Sequence, residues 1–300
     1  MMTDADRKAL MEIADVVFDE PMRDHTTFKV GGPAEAFVSP DRDELPLLLK
    51  CARDRDIPVI ILGNGSNVLV SDDGLQGLVI SIGRNISGIS VIGSEITCGA
   101  GEMISAVSRA AANAGLSGLE FAAGIPGSAG GAVVMNGGAY GGQISDVLTK
   151  VEILTAELQF TTLAKDELAL GYRHSIFMEE KHRGDIILSA SMELTLGDEE
   201  EIFAAMEDFN ARRRDKQPLN YPSAGSTFKR PEGYFAGALI EQSGLKGFKY
   251  GGAMVSDKHC GFVINTGDAS ASDILYVINH IKDVVYEKTG VTLEEEVRIL

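Results

Sequence analysis

The chain has 300 residues, 44% of them hydrophobic and 24% charged, which suits one large or two ordinary globular domains with ample core. A net charge of −17 argues against nucleic acid and against an anionic membrane surface, since both are bound by neutralising phosphates with Lys and Arg. No apolar run approaches the ~20 residues that span a bilayer, Met1–Arg7 is polar, and Cys51, Cys98 and Cys260 stand too far apart to suggest a disulfide framework or a zinc site. A cytoplasmic protein is expected.

A short helix is expected over 2–17, followed by an irregular acidic piece. The Gly31-Gly32-Pro33 turn then leads into a strand at Ala36-Phe37-Val38. Asp43 is placed to cap a helix through Arg53, with Leu47, Leu48, Cys51 and Ala52 on one side, and Pro58 opens the strand Val59-Ile60-Ile61-Leu62. Gly63-Asn64-Gly65-Ser66-Asn67 follows as a loop of free amides and small polar side chains. Alternating stretches at 78–80, 89–92 and 95–98 read as further strands.

In 102–114, Met103, Val107, Ala110, Ala111 and Ala114 recur at helical spacing, and Gly115 stands where a left-handed stop is wanted. Gly115–Gly142 then holds ten glycines of the chain's 34. Glycine tolerates positive φ and lets a ligand reach the main chain, and successive amides in such turns hold anionic oxygens. Tight turns between strands would explain one such cluster. Two clusters in one region point instead to a long phosphate-bearing ligand held from two sides. Strands at 151–154 and 186–194 flank Gly171-Tyr172-Arg173-His174-Ser175, so the order of elements is mixed and the class is α+β.

A composition shift at Gly197 marks the expected boundary. Asp198 with Glu201 resembles a capping box, and Ile202, Ala205, Met206 and Phe209 form the inward face of a helix. That helix runs into the only basic concentration in the chain: Arg212, Arg213, Arg214, Lys216, Lys229 and Arg230 against the single acid Asp215. Arg212–Arg214 also suit the carboxyl end of a helix as partners of its dipole. Pro218 and Pro222 flank a linker, a strand is expected near 261–264, and a helix from Ser272 to Lys288 buries Ile274, Val277, Ile278, Ile281 and Val285 before stopping at Gly290.

Familiar nucleotide motifs fail on spacing. There is no G-x-x-x-x-G-K-[ST], and Gly63-Asn64-Gly65 lacks the third glycine and the following helix of a dinucleotide fingerprint. The five histidines show no metal-ligand spacing, and the G-x-x-G of Gly244–Gly247, which has the form of an RNA-binding turn, stands against the acidic charge.

Eight motifs occur in order. They are H-T-T-F-x-x-G-G-P-A from His25, L-G-N-G-S-N-V-L from Leu62, G-I-P-G-S-x-G-G-A-x-x-M-N-G-G-A-Y-G from Gly124 and G-Y-R-x-S from Gly171. S-A-G-S-x-F-K-x-P follows from Ser223, L-I-E-Q-x-G-L-K-G from Leu239, G-G-A-x-V-S-x-K-H-x-G-F-x-x-N from Gly251 and L-E-E-E-V-R from Leu293. Together the series resembles the UDP-N-acetylenolpyruvoylglucosamine reductase (MurB) family over about nine tenths of the chain. The resemblance implies a vanillyl-alcohol-oxidase/PCMH-type FAD-binding fold of two α+β subdomains, over 1–197 and split near 100, plus a C-terminal α+β substrate-binding domain over 198–300. It further implies FAD as cofactor, NADPH as co-substrate and UDP-N-acetylenolpyruvoylglucosamine as substrate, in a chain expected to act as a monomer.

On this resemblance the FAD-binding residues are Gly63, Asn64, Gly65, Ser66 and Asn67, with Gly124, Pro126, Gly127, Ser128, Gly131, Asn136, Gly138 and Ala139. The first loop has no His or Cys to tether a flavin, so the FAD is expected to be non-covalent. Ser226 is implied as general acid, Arg173 as the cation beside the developing charge, and Glu296 as a carboxylate that holds a proton or orients the substrate carboxylate. Lys216, Lys229 and Arg230 are expected at the UDP diphosphate, with Gln242, Asn265 and Tyr172 as further polar contacts. Arg173 and Ser226 stand only 53 positions apart, which marks the shorter form of the family without the tyrosine-bearing loop insertion. Arg230 occupies a place where other members often have asparagine, and the chain stops four residues past Glu296.

Overall fold

A computed structural model describes all 300 residues. The chain forms two compact units, neither continuous in sequence: Met1–Phe18, Glu35–Asn64 and Gln76–Arg212 make the first, and Asp19–Ala34, Gly65–Leu75 and Arg213–Leu300 the second. Gly197 falls inside the first unit, because the helix Glu199–Lys216 that follows it buries Ile202 and Met206 against Ala112.

In the first unit the opening helix is shorter than expected. It covers Asp4–Met11 and is closed at its start by a reciprocal capping box between Thr3 and Asp6, whereas Val16 and Val17, both β-branched, begin the strand Val16–Pro21. That strand opens a four-stranded sheet that continues through Pro33–Val38 and Leu75–Ser81 to Val59–Leu62, the last pair being parallel with Ile60 opposite Val79. The helix Leu45–Asp54 starts at Glu44 without a side-chain cap, so Asp43 does not cap it; the Glu44 carboxylate instead accepts the Asp41 N–H at 2.8 Å. Its inward face is Leu45, Leu48 and Ala52, and Leu47 points to solvent at 55% exposure.

A second sheet of the first unit has five antiparallel strands in the order Phe160–Ala164, Leu148–Leu154, Ile186–Glu193, Glu95–Gly99 and Ile89–Ile92. The alternation of Lys150 and Glu152 with buried Val151 and Ile153 gives it one wet and one dry face. The helix Ile104–Asn113 buries Ile104, Val107, Ser108, Ala111 and Ala112, spaced by three and four residues, and Gly115 at φ +65 lets the chain turn away. These elements share one core that includes Ile80, Ile96, Val107, Phe121, Val133, Val151 and Ala190.

The second unit has its own core around Phe28, Leu69, Phe228, Ile240, Val255 and Ile278. A three-stranded antiparallel sheet of Lys249–Tyr250, Ala253–Val255 and Val263–Asn265 lies with the helices Ala236–Gln242 and Ala271–Thr289. The long helix buries the five aliphatic residues its periodicity marks out, each contributing about 1.5–3 kcal/mol of apolar burial. It starts at a Ser270–Asp273 capping box and ends at Gly290 with φ +71. The carboxyl end pairs in parallel with an early segment, Arg298 opposite Val68 and Ile299 opposite Leu69.

Candidate functional site

The two glycine clusters meet within the first unit. A Cβ at Gly63 would lie 2.5 Å from the Ser128 hydroxyl oxygen, so only glycine allows the approach. Next to it the Asn64 Nδ2 donates to the Pro126 carbonyl at 2.5 Å. Ser128 is also the cap of the short helix Ala129–Val134, accepting the Gly131 N–H at 3.3 Å, and the Gly127 carbonyl accepts the Ile104 N–H at 3.1 Å. Gly124, Gly127 and Gly131 keep partly or fully exposed backbone, Pro126 is exposed, and Gly138 and Ala139 pair with Gly142 and Gln143 in a tight antiparallel ribbon.

The remainder of the first loop belongs to the second unit. Gly65, at φ +60, brings its Cα so close to the His25 carbonyl that a Cβ would sit 1.9 Å from that oxygen. Its own carbonyl accepts the Thr27 N–H, and the Asn67 Nδ2 donates to the Glu296 carbonyl at 2.9 Å. Ser66 is partly exposed.

The Asn136 side chain is engaged within the protein. At φ +39 and 1% exposed, its Oδ1 accepts the Ser145 N–H at 2.8 Å and its Nδ2 donates to the Gly171 carbonyl at 2.9 Å. It thereby ties the glycine-rich stretch to Gly171–Ser175. Ser175, fully buried, adds a second tie by donating from Oγ to the Val134 carbonyl at 2.6 Å. Sequence reading gave Ser175 no role, although it stands in the same motif as Arg173.

Between these anchors, Gly171 and His174 exchange both backbone hydrogen bonds, at 3.0 and 3.2 Å, and close a turn with Tyr172 and Arg173 at its tip. Arg173 holds φ +52, a conformation that costs a side-chain-bearing residue about 1–2 kcal/mol. Its Nη2 donates to the Gly138 carbonyl at 3.1 Å, and the guanidinium carbon lies 5.4 Å from the centre of the Tyr172 ring, itself 56% exposed. The expected cation thus stands on the rim of the expected cofactor stretch.

In the second unit, 226–229 runs beside 294–297. The Thr227 carbonyl accepts the Glu296 N–H at 2.9 Å, Phe228 bridges Glu295, and the Lys229 N–H bonds the Glu294 carbonyl at 2.9 Å. Ser226 is exposed after Gly225, which has φ +76 and open space about it; Glu296 is half-buried. Thr227, fully buried and without a role in the sequence reading, fixes this register by donating its N–H to the Gly261 carbonyl at 2.8 Å and accepting the Val263 N–H on Oγ1 at 3.0 Å.

The basic residues differ in their commitments. The Lys229 ammonium is hydrogen-bonded to the Glu294 carboxylate, and the Arg230 guanidinium lies 4.2 Å from the centre of the Phe235 ring. Lys216 and Gln242 are exposed at the ends of their helices. Asn265 is 3% exposed and its side chain is internal: Nδ2 donates to the Phe28 carbonyl at 3.0 Å, while Oδ1 accepts Gly267 N–H at 2.8 Å and Ala269 N–H at 3.1 Å.

The donor set agrees with an FAD cradle. Within the first unit, Gly63, Asn64 and 124–139 contain no charged side chain, so a diphosphate held there would be met by backbone amides and the small groups of Asn and Ser.

Two family models match the chain: "FAD binding domain" over residues 34–162 and "UDP-N-acetylenolpyruvoylglucosamine reductase, C-terminal domain" over 217–300. A UDP-N-acetylenolpyruvoylglucosamine reductase of Agathobacter rectalis is 51% identical over 294 residues, covering 94% of this chain and 93% of its own. One from Lachnoclostridium phytofermentans is 48% identical over 98% of this chain and 95% of its own. The crystal structure of the Thermus caldophilus reductase superposes with a TM-score of 0.79 at 36% identity, covering 95% of this chain and 98% of that one. The fold is accordingly α+β, with an FAD-binding domain, and the cofactor is FAD. From both family models and the near-complete coverage of these relatives, the chain belongs to the UDP-N-acetylenolpyruvoylglucosamine reductase (MurB) family of FAD-dependent oxidoreductases.

Proposed function

We propose that this protein uses NADPH to reduce the enolpyruvyl ether of UDP-N-acetylenolpyruvoylglucosamine to UDP-N-acetylmuramate, a step of peptidoglycan precursor synthesis. The observation that carries the reading is the pairing of Thr227 with Glu296, which sets the exposed Ser226 and the half-buried Glu296 on adjacent segments of one unit. Held non-covalently by the residues named below, FAD would supply hydride exchange between NADPH and the substrate's double bond.

Hydride addition leaves enolate-like charge next to the substrate carboxylate, and the adjacent carbon then needs a proton. Arg173, fixed by Gly138, counters that charge with a planar fork of donors. Ser226 supplies the proton, and Glu296 orients the carboxylate or the proton. Gly63–Asn67, Gly124, Pro126–Ser128, Gly131, Gly138 and Ala139 hold FAD. Asn136, whose side chain ties that stretch to Ser145 and Gly171, joins them as an FAD contact.

Lys216, Lys229 and Arg230 take the UDP diphosphate, with Gln242, Asn265 and Tyr172 as further polar contacts. Residues 1–197 are assigned to FAD and 198–300 to the UDP substrate, supported by the ranges of the two family models. All these residues come from one chain, so we take it to work as a monomer. No helix is long and apolar enough to cross a membrane, which agrees with a cytoplasmic site of action, and the net charge of −17 opposes nucleic acid as a partner.

The test is the anaerobic visible spectrum of the purified protein, first with NADPH and then with the UDP substrate. Bleaching followed by return of the yellow colour is expected. Bleaching that the UDP substrate cannot reverse, with turnover of a small alcohol, would move the chain to another flavin chemistry on the same fold.

A further inference from the structure

His259 lies in a notch between two glycines of the second unit. A Cβ at Gly261 would meet its Cε1 at 3.0 Å and one at Gly237 would meet the same atom at 3.3 Å, so both positions leave space for the ring. Its Nδ1 accepts the Gly261 N–H at 3.1 Å, and the ring meets Phe262 edge-on at 5.0 Å. Because Nδ1 accepts, the proton of the neutral ring sits on Nε2. Burial lowers the affinity of the imidazole for a second proton, the Lys216 charge adds to this, and Glu241 opposes it; the Glu241 carboxylate is engaged by Lys246 at 3.0 Å. Near neutral pH the ring is therefore an uncharged donor with one fixed direction.

The neighbourhood of that donor is the end of the basic helix. Lys258, adjacent in sequence, donates from Nζ to the Arg214 carbonyl at 2.5 Å, two residues before Lys216. Both Lys258 and His259 donate their N–H groups to the buried Ser256 hydroxyl, at 3.1 and 3.3 Å, which sets the turn. The same turn presents the Gly261 carbonyl that receives Thr227 N–H, next to Ser226.

We infer that His259 is a substrate-binding residue whose Nε2–H donates to the diphosphate of the UDP substrate beside Lys216. This rests on the assignment of Lys216 to the diphosphate. A fixed neutral donor adds direction where the flexible lysine adds charge. It also connects nucleotide binding to the backbone that carries Ser226.

Two variants separate the ring's two nitrogens. His259→Asn keeps an acceptor at the place of Nδ1 and lacks the distal donor; His259→Gln carries a distal amide donor and lacks the near acceptor. UDP is the probe, its affinity measured by calorimetry on the FAD-loaded protein, with NADPH bleaching of the flavin as the control. His259→Asn should weaken UDP binding and raise KM for the substrate by about 10-fold or more, the scale of a hydrogen bond to a charged group, with bleaching by NADPH unchanged. His259→Gln should recover most of the UDP affinity.

Combined with Lys216→Met, His259→Asn should lose less than the product of the two single effects, because both groups address the same anion. Wild-type UDP affinity in His259→Asn, or purely multiplicative losses in the double variant, would overturn the inference. A wild-type enzyme that binds no UDP and turns over no UDP substrate would instead overturn the functional reading beneath it.

Discussion

Arg173 donates from Nη2 to the carbonyl of Gly138 at 3.1 Å while its own backbone is held at φ +52. A strained residue at the tip of a turn, tied by its side chain to the glycine-rich stretch, is pre-oriented before any ligand arrives. Arg173→Lys keeps the charge and loses the planar fork. Stopped-flow measurement of the two half-reactions should show substrate reduction slowed by roughly 10²-fold, the scale of a lost electrostatic donor, with NADPH bleaching of the flavin within a few-fold of wild type. Equal slowing of both halves would remove Arg173 from the substrate step.

Ser226 is exposed and sits beside Thr227, whose contacts are all internal. Removing its hydroxyl should therefore leave the fold intact. For Ser226→Ala we expect FAD content and melting temperature to match wild type and substrate reduction to fall by about 10²-fold, as for a lost general acid. Solvent-derived protonation fast enough to keep the wild-type rate would show that the hydroxyl is not the donor.

Two glycines with φ near +60 should respond very differently to alanine. At Gly65 the new Cβ would fall 1.9 Å from the His25 carbonyl, whereas at Gly93 nothing lies within 4 Å. Gly93→Ala should cost about 1 kcal/mol, the left-handed penalty alone. Gly65→Ala must also move the backbone of the first loop, so loss of bound FAD, read as absorbance near the flavin band per protein, should accompany a larger fall in stability. Full FAD content in Gly65→Ala would show that the loop can give way.

Asp72 caps the long helix of the second unit from far away in sequence, accepting Ala271 N–H at 2.7 Å, Ser272 N–H at 2.8 Å and the Ser272 hydroxyl at 2.6 Å. Burial pushes its pKa up, but the hydrogen bonds from Ser272 and Ala271 outweigh that and hold it below the ordinary aspartate value. A carboxylate with a depressed folded-state pKa stabilises fully above the unfolded-state value, near 4, and loses that contribution as pH falls through the folded-state value. Asp72→Ala should cost about 1 kcal/mol at pH 7, modest because the carboxylate is largely exposed. The gap between variant and wild type in urea unfolding should narrow as pH falls below about 4. A gap independent of pH would assign the effect to packing rather than to charge.

Much of the local structure could be read without coordinates. The helices over 104–113 and 271–289 follow from apolar spacing and glycine stops, both of which act within a few residues. The first helix was overextended because Val16 and Val17 continue its apolar spacing, yet they find strand partners in residues distant in sequence. Leu47 fits a helical stripe as well as Leu45 does, and only packing shows that Leu45 is buried and Leu47 exposed.

The sequence by itself determined the glycine clusters, the glycine helix stops, the order of the motifs and with them the family, because those features rest on residue type and short spacing. Tertiary structure alone decided how polar side chains are spent. The side chains of Asn136 and Asn265 bond internal carbonyls and amides, and the Lys229 ammonium meets the Glu294 carboxylate. It also decided that the turn carrying His259 is hydrogen-bonded to Thr227, next to Ser226, and that Asp72 reaches a helix 199 positions onward. Hydrogen bonds across such separations depend on how the whole chain closes, and no local pattern of residues encodes that closure.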